Sequence, residues 1–320
     1  MRGGPSESHR LQLVKTALRL AAEPILDRCI TTGKESIPTN TTGVSPERAE
    51  LVESSGIRVG RGGASPEEKV RYVRRMFDAI APRYDIANTF ISAGLHRLWK
   101  RITADLAGVS LGGRALDVCC GTGDLALLLA RRVGPGGRVV GVDFSPEMLA
   151  IARRRAASAG YAAVCRFLPG DAQALPLEEA AFDAATVGFG IRNVAQPEQA
   201  LRELHRVLRP GGRLAVLEFS RPRNPWIRRL YDGYSFTLMP WLGRVAARHP
   251  DAYLYLHTSV RTWPDQEMFG AMLRRAGFEQ VRYRNFGSGI TAIHLAIRPP
   301  VTDGARNVRR VVSGVTYGGT

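Results

Sequence analysis

Two carboxylates at the ends of short apolar runs, with a pair of glycines between them, give this chain its first chemical signal. Residues 116–124 read Leu-Asp-Val-Cys-Cys-Gly-Thr-Gly-Asp, and residues 139–143 read Val-Val-Gly-Val-Asp. Gly121 and Gly123 allow a tight turn that brings backbone N–H groups against a ligand, and Asp143 is placed to accept hydrogen bonds from both hydroxyls of a ribose. That combination describes a nucleoside site. Gly121, Gly123 and Ala126 also satisfy the loose G-x-G-x-x-G/A fingerprint of dinucleotide enzymes, so the glycines alone leave two cofactors open. Asp117 and Asp124 separate them. A dinucleotide brings a pyrophosphate to the helix N-terminus, where these carboxylates repel it, whereas the sulfonium and ammonium groups of S-adenosylmethionine are attracted. The competing structural reading is that Asp117 and Asp124 simply cap the helix from Leu125 to Arg132.

The elements that must position these residues follow from the pattern downstream. Asp171 and Ala172 end the apolar stretch 164–168, where a carboxylate and a backbone N–H can read an adenine edge. Residues 182–189 form a fourth strand, residues 197–208 a helix, and Arg209-Pro210-Gly211-Gly212 a turn into a fifth strand, 213–219. Strands alternating with helices predict an open parallel α/β sheet with its ligands at the carboxyl ends of the strands. Asp117, Asp143, Asp171 and Gly188 all fall there. Residues 76–100 should be helical, with Met76, Phe77 and Ile80 on one face and Leu95, Leu98 and Trp99 on another, at spacings that signify core packing. That account leaves Asp78, Arg83, Tyr84 and Asp85 unexplained. Between the fifth strand and a helix at 265–276 lies an insertion, 221–263, whose aromatics, among them Trp226, Tyr231, Tyr255 and Trp263, exceed what a connection needs.

Taken in order, Met76-Phe77-Asp78, Arg83-Tyr84-Asp85, Gly94-Leu95-His96-Arg97-Leu98-Trp99-Lys100, Phe189-Gly190-Ile191-Arg192-Asn193-Val194, Leu217-Glu218-Phe219-Ser220, Tyr234-Ser235-Phe236 and Pro264-Asp265-Gln266-Glu267 resemble the ubiquinone/menaquinone biosynthesis C-methyltransferases (UbiE/MenG). The resemblance runs from about Val73 to Arg298. It implies a class I S-adenosylmethionine-dependent methyltransferase: a Rossmann-like, seven-stranded, mostly parallel sheet with helices on both faces, and a helical lid in residues 65–110. It also implies a polyprenylated quinol substrate. The vicinal Cys119-Cys120 is more similar to the menaquinone branch, which makes demethylmenaquinol the expected acceptor and 2-methoxy-6-polyprenyl-1,4-benzoquinol the alternative. Thr122, Asp143, Asp171 and Ala172 match the family's cofactor contacts, while Gly188 stands where some members carry serine. With Asp117, Gly121 and Gly123, these form the expected cofactor set. A nicotinamide oxidoreductase and a catalytically silent scaffold are the readings from other classes.

The expected chemistry is substitution at a ring carbon. A reduced quinol donates electron density through its oxygen, its unsubstituted carbon attacks the sulfonium methyl in line, and loss of the ring proton restores aromaticity. Alignment and stabilisation of phenolate character are the demands on the protein. Arg192 and Asn193, just beyond the fourth strand, are the expected catalytic pair, with Arg192 stabilising phenolate or polarising a water, since a guanidinium is always charged and a poor base. A structural ion pair is the plainer reading of Arg192. His294, on a late apolar strand, is expected to be a core histidine.

Composition bounds the rest. The chain has 320 residues, 44% of them hydrophobic, and a formal net charge of +16, of which roughly +12 falls on residues 65–300. Such a field suits an anionic partner. With no helix-turn-helix, zinc-finger or RNA-binding signature, nucleic acid is not expected, and peripheral contact with an anionic membrane face fits a polyprenylated substrate better. Solvated arginines explain part of the excess. Cys29, Cys119, Cys120 and Cys165 have neither metal nor secreted-framework spacing, which suits a reducing cytoplasm and predicts no metal. No apolar run is long enough to span a bilayer. Residues 1–64, rich in Gly, Pro, Ser and Thr around one helical stretch, are expected to be a disordered extension or a mis-assigned start. Residues 301–320 are expected to be a disordered tail, and the oligomeric state, with a homodimer as one option, stays open.

Overall fold

In the computed structural model, described over residues 66–92, 94–222 and 259–300 together with Trp226, Arg229 and Tyr255, the apolar runs become a seven-stranded sheet of order β3-β2-β1-β4-β5-β7-β6. The strands are β1 (Arg114–Val118), β2 (Arg138–Asp143), β3 (Cys165–Pro169), β4 (Phe182–Gly188), β5 (Leu208–Phe219), β6 (Glu279–Phe286) and β7 (Thr291–Ile297). Strands β1 to β5 pair in parallel, while β7 enters antiparallel between β5 and β6. The helices are α1 (Pro66–Ile80), α2 (Tyr84–Ile91), α3 (Leu95–Leu106), α4 (Asp124–Val133), α5 (Pro146–Ser158), α6 (Pro197–Val207) and α7 (Gln266–Arg275). The expectations for residues 1–64, for most of the 221–263 insertion and for residues 301–320 lie outside the described residues.

Alternation along the strands fills two layers. On one face Leu116, Val118 and Val187 pack with Leu201 and Leu204 of α6 and with Phe269 and Leu273 of α7. On the other, Ala115 and Ala184 meet Ala104 of α3, Leu125 and Leu129 of α4, and Leu149 and Ala152 of α5. Strands buried on both sides read as continuous apolar runs, and for that reason the parallel core was visible in the sequence. Two helix starts are set by side chains: Ser145 accepts from Met148 N ahead of α5, with Pro146 at the first helical position, and Asp265 accepts from Met268 N ahead of α7.

Two details depart from expectation and a third agrees with it. Strand β5 begins at Leu208, not Arg213, because Leu208 pairs with Phe182 before Arg209-Pro210-Gly211-Gly212 loops out and pairing resumes at Ala184 and Arg213. The turn is a bulge inside a strand. Leu98 is 45% exposed while Trp99 is buried, since adjacent helical positions point about 100° apart. His294 lies on β7, is 2% exposed, bonds Gln266 O through Nε2 at 2.9 Å and meets Phe269 edge-on. Burial lowers it to about 4, so it is a neutral core histidine as expected.

Candidate cofactor and acceptor site

At the carboxyl ends of β1, β2, β3 and β4 the chain encloses a cavity of about 440 Å³, within the range of small-molecule sites. Of the expected site residues, Gly121, Asp143, Asp171, Ala172, Gly188 and Asn193 line it. Asp143 ends β2 and is 6% exposed. One oxygen accepts from Gly121 N at 2.8 Å and the other from Ser145 N at 3.0 Å. Burial pushes its carboxyl up to about 6, with the backbone N–H bonds pulling the other way. Asp171 accepts from Gln173 N at 2.9 Å, which fixes the turn that presents Ala172. At Gly188 a Cβ would stand 2.6 Å from Leu125 Cδ1, so a serine there requires Leu125 to move.

Asp117, Thr122, Gly123 and Arg192 are not among the lining residues. Asp117 is buried beneath the loop, where it accepts from Ala126 N in the first turn of α4 at 3.0 Å and from Thr186 Oγ1 of β4 at 2.8 Å. It ties β1, β4 and α4 together, and desolvation pushes it up to about 7. Thr122 donates to Asp85 at 2.8 Å and accepts from Arg155. Gly123 starts α4 at φ 86°, and a Cβ there would stand 3.1 Å from that of Ala152. Asp124 corrects the charge argument: its oxygens are held by Lys100 Nζ at 2.7 Å and Arg155 at 2.6 Å. Two cations neutralise the carboxylate that was expected to repel a pyrophosphate.

The same network explains residues that core packing left over. Asp85, at the start of α2, bonds Thr122 and Arg155, which holds Tyr84 over the glycine loop, its ring 3.9 Å from where a Gly121 Cβ would be. Phe77 of α1 stacks edge-on against Tyr84 and Phe144, closing one wall. Asp78 accepts from Ser145 Oγ, beside Asp143, and the buried Lys69 donates to Val194 O at 2.8 Å. Helix α1 is thereby latched at both ends across the cavity. Lys69, Lys100 and Arg155 escaped sequence reasoning, because nothing local to them marks partners as far off as 125 residues. Cys119 and Gly190 were missed too. Cys119 lines the cavity at φ 56°, and a Cβ at Gly190 would come 2.3 Å from its Cβ. The glycine following Phe189 was the available signal.

Just beyond β4, Arg192 Nη1 donates to Glu218 Oε1 at 2.7 Å and to Phe189 O at 2.6 Å, with its guanidinium over the Phe219 ring. Asn193 donates to Phe189 O. Arg192 Nε and Asn193 Oδ1 are buried without hydrogen-bond partners. Burial raises Glu218 while Arg192 opposes the rise. Of the expected insertion aromatics, Trp226 is 72% exposed, Trp263 packs on Phe269 in the core, and Tyr255 packs on Val73 of α1.

A Rossmann-like sheet closed by an antiparallel β7, with a cavity at the carboxyl ends of its parallel strands, is the fold of class I S-adenosylmethionine-dependent methyltransferases. The chain belongs to the ubiE/COQ5 methyltransferase family, whose model matches residues 65–298. It is 46% identical over 232 residues to the ubiquinone/menaquinone biosynthesis C-methyltransferase UbiE of Azotobacter vinelandii, covering 72% of this chain and 92% of that one. It is 47% identical to the UbiE of Ectopseudomonas mendocina, covering 72% and 91%. Among solved structures the fold is similar to the [4+2]-cyclase SpnF, with TM-score 0.54, 22% identity, and coverage of 71% of this chain and 95% of that one. It is also similar to a SAM-dependent methyltransferase from Thermotoga maritima, with TM-score 0.50, 22% identity, and coverage of 71% and 99%. These two likenesses concern the fold alone. S-adenosylmethionine is the methyl donor, and the residues fit it. Asp143 has lone pairs left for a ribose, and Val142, Phe144, Met148 and Pro169 give the cavity apolar walls.

Proposed function

We propose that this protein methylates a ring carbon of a reduced polyprenylated quinol, with demethylmenaquinol as its acceptor. The observation that carries this reading is the family match across residues 65–298, with relatives named for quinone biosynthesis. Cys119-Cys120, similar to the menaquinone branch, favours demethylmenaquinol. The second reading, a methoxy-polyprenyl benzoquinol or both acceptors, is favoured by the relatives' names, which span both pathways.

S-adenosylmethionine supplies an electrophilic methyl group. Asp143 would hold its ribose and Asp171 with Ala172 its adenine, while Gly121 and Gly188 keep the floor open. Phe77, Tyr84 and Phe144 exclude water. Asn193 faces the cavity from the turn after β4. Arg192 stands behind the lining, locked to Glu218 and Phe189 O, where it would act through its charge and through the placing of Asn193; it takes no proton. A tailed acceptor must be drawn from lipid. The net charge of +16 supports peripheral contact with an anionic membrane face, and among the described residues no helix is long and apolar enough to cross a membrane.

The test follows methyl transfer to demethylmenaquinol and to the methoxy-benzoquinol in parallel, with and without dithionite. Transfer should require reductant, because oxidised quinone is electrophilic. Equal transfer to oxidised quinone defeats the nucleophile, and preference for the benzoquinol installs the second reading. Arg192→Lys should lower turnover by roughly 10²-fold with cofactor affinity intact, by comparison with loss of one oxyanion donor.

A further inference from the structure

Phe189 stands in the cavity wall in a backbone conformation that its side chain disfavours. It follows β4 at φ 57°, in the left-handed region that bulky residues rarely adopt, where a glycine would carry no strain. Three hydrogen bonds hold it there. Its N–H donates to Leu217 O at 2.7 Å, and its carbonyl accepts from Arg192 Nη1 at 2.6 Å and from Asn193 Nδ2 at 3.3 Å. The ring is braced as well, with the Phe219 ring 4.8 Å away and tilted by 41°, and the Trp99 ring 6.4 Å away and tilted by 56°. Neither Phe219 nor Trp99 lines the cavity, whereas Phe189 does and stays partly exposed. Strain of this kind persists where the surroundings over-determine it, and it gathers at ligand sites.

We propose that Phe189 is the platform on which the aromatic ring of the acceptor stacks, held in place by Arg192 and Asn193 and backed by Phe219 and Trp99. This rests on the quinol reading above. Position along the sheet assigns the ring to the acceptor. Asp143 ends β2 and Asp171 follows β3, while Phe189 follows β4, two strand spacings or roughly 10 Å from the end of β2. A nucleoside held over β2 and β3 leaves the β4 end of the cavity to the reacting groups. The other phenyl and phenol rings of the lining, Phe77, Tyr84 and Phe144, meet one another on the cover side, so Phe189 is the aromatic of the β4 side. Gly188 and Gly190 flank it in the lining with no side chain to shield its ring. Aromatic pairs gain from offset or edge contact beyond the area they bury, and a flat, apolar acceptor ring is recognised in this way without a polar group. The carbonyl clamp also gives Arg192 a task from behind the lining, that of fixing the residue the acceptor meets.

The test uses the full chain with S-adenosylhomocysteine bound, so that no methyl is transferred, and 1-naphthol as a flat, electron-rich probe followed by its fluorescence. Phe189→Leu, which keeps apolar bulk and loses the ring, should bind 1-naphthol about 3- to 10-fold more weakly, and Phe189→Tyr should restore most of the difference. In the methyl-transfer assay, kcat/KM for the reduced quinol should fall in Phe189→Leu by at least the same factor, with S-adenosylmethionine affinity unchanged. A ring that only packs would lower the melting temperature and leave the probe's affinity alone. Should Phe189→Leu not fold, pentafluorophenylalanine at position 189 keeps the ring while reversing its quadrupole, and should tighten 1-naphthol. Unaltered naphthol affinity in these variants overturns the inference and leaves the quinol reading standing. A fall in S-adenosylmethionine affinity without one in naphthol affinity gives the ring to the cofactor and overturns it equally. A wild-type enzyme that methylates no quinol, yet binds 1-naphthol through Phe189, keeps the platform and discards the quinol.

Discussion

On the proposed reading, Asp143 has to satisfy two opposed conditions, staying charged to receive ribose hydroxyls and staying dry at the end of a buried strand. The backbone N–H groups of Gly121 and Ser145 keep the carboxylate tolerable there, but burial still lifts it to about 6. Cofactor affinity should therefore be full above that pH and decline as pH falls through it, since the protonated group loses its charge-assisted bonds. Calorimetry across pH 5 to 8 checks this: Asp143→Asn should flatten the dependence, and Asp143→Ala should cost about 1.5–3 kcal/mol of binding. Gly190 makes a second case. With a Cβ 2.3 Å from that of Cys119, Gly190→Ala should lower both melting temperature and cofactor affinity, whereas Gly136→Ala, with nothing within 4 Å, should change neither. That Asp143, Asp171 and Gly188 line the cavity was legible because each lies at or just beyond the end of a parallel strand. Asp117 read the same way and proved to be a tie between β1, β4 and α4, because alternation along a strand sends a neighbouring carboxylate to the opposite side.

Elements, more than single residues, are where the charged cluster acts. Lys100 of α3, Asp124 of α4, Arg155 of α5 and Asp85 of α2 bring four helices together around the glycine loop. Both cations hold Asp124 well below the ordinary carboxylate range. A depressed carboxylate contributes stability that is present above its unfolded value and lost as pH falls toward the folded one, so acid should loosen this corner below about pH 4. Lys100→Met should destabilise the fold by roughly 2–4 kcal/mol, because Asp124 stays buried with Arg155 as its remaining cation, and thermal unfolding at neutral pH reads it. No helix-by-helix reading showed this cluster, since its members are apolar-face exceptions on separate helices. The bulge in β5 was hidden for a related reason: Arg-Pro-Gly-Gly is a turn signal, and only the pairing of Leu208 with Phe182 shows the strand continuing across it.

For the molecule as a whole, the family match begins at residue 65. A chain starting at Ser65 should keep its melting temperature and its cofactor affinity, and a fall in either would show residues 1–64 packing on the domain. The net charge of +16 predicts co-sedimentation with phosphatidylglycerol vesicles that weakens between 50 and 500 mM salt, while neutral phosphatidylcholine vesicles serve as the control. The sheet was legible from strand and helix alternation; the cover was not, because its latches join residues remote in sequence. One of those latches has a practical use. After Lys34 the chain contains no lysines besides Lys69 and Lys100, and both amines are buried, one under α1 and one against α4. Across the domain, an acylating reagent thus finds two targets, and Lys69 becomes reactive only when α1 lifts from Val194. Burial lowers Lys69 to about 8, and uncovering returns it toward the ordinary lysine value, so the labelling is run at alkaline pH where the freed amine reacts. Its acetylation rate, read by mass spectrometry, is a clock for the opening of the site, and cofactor should slow it.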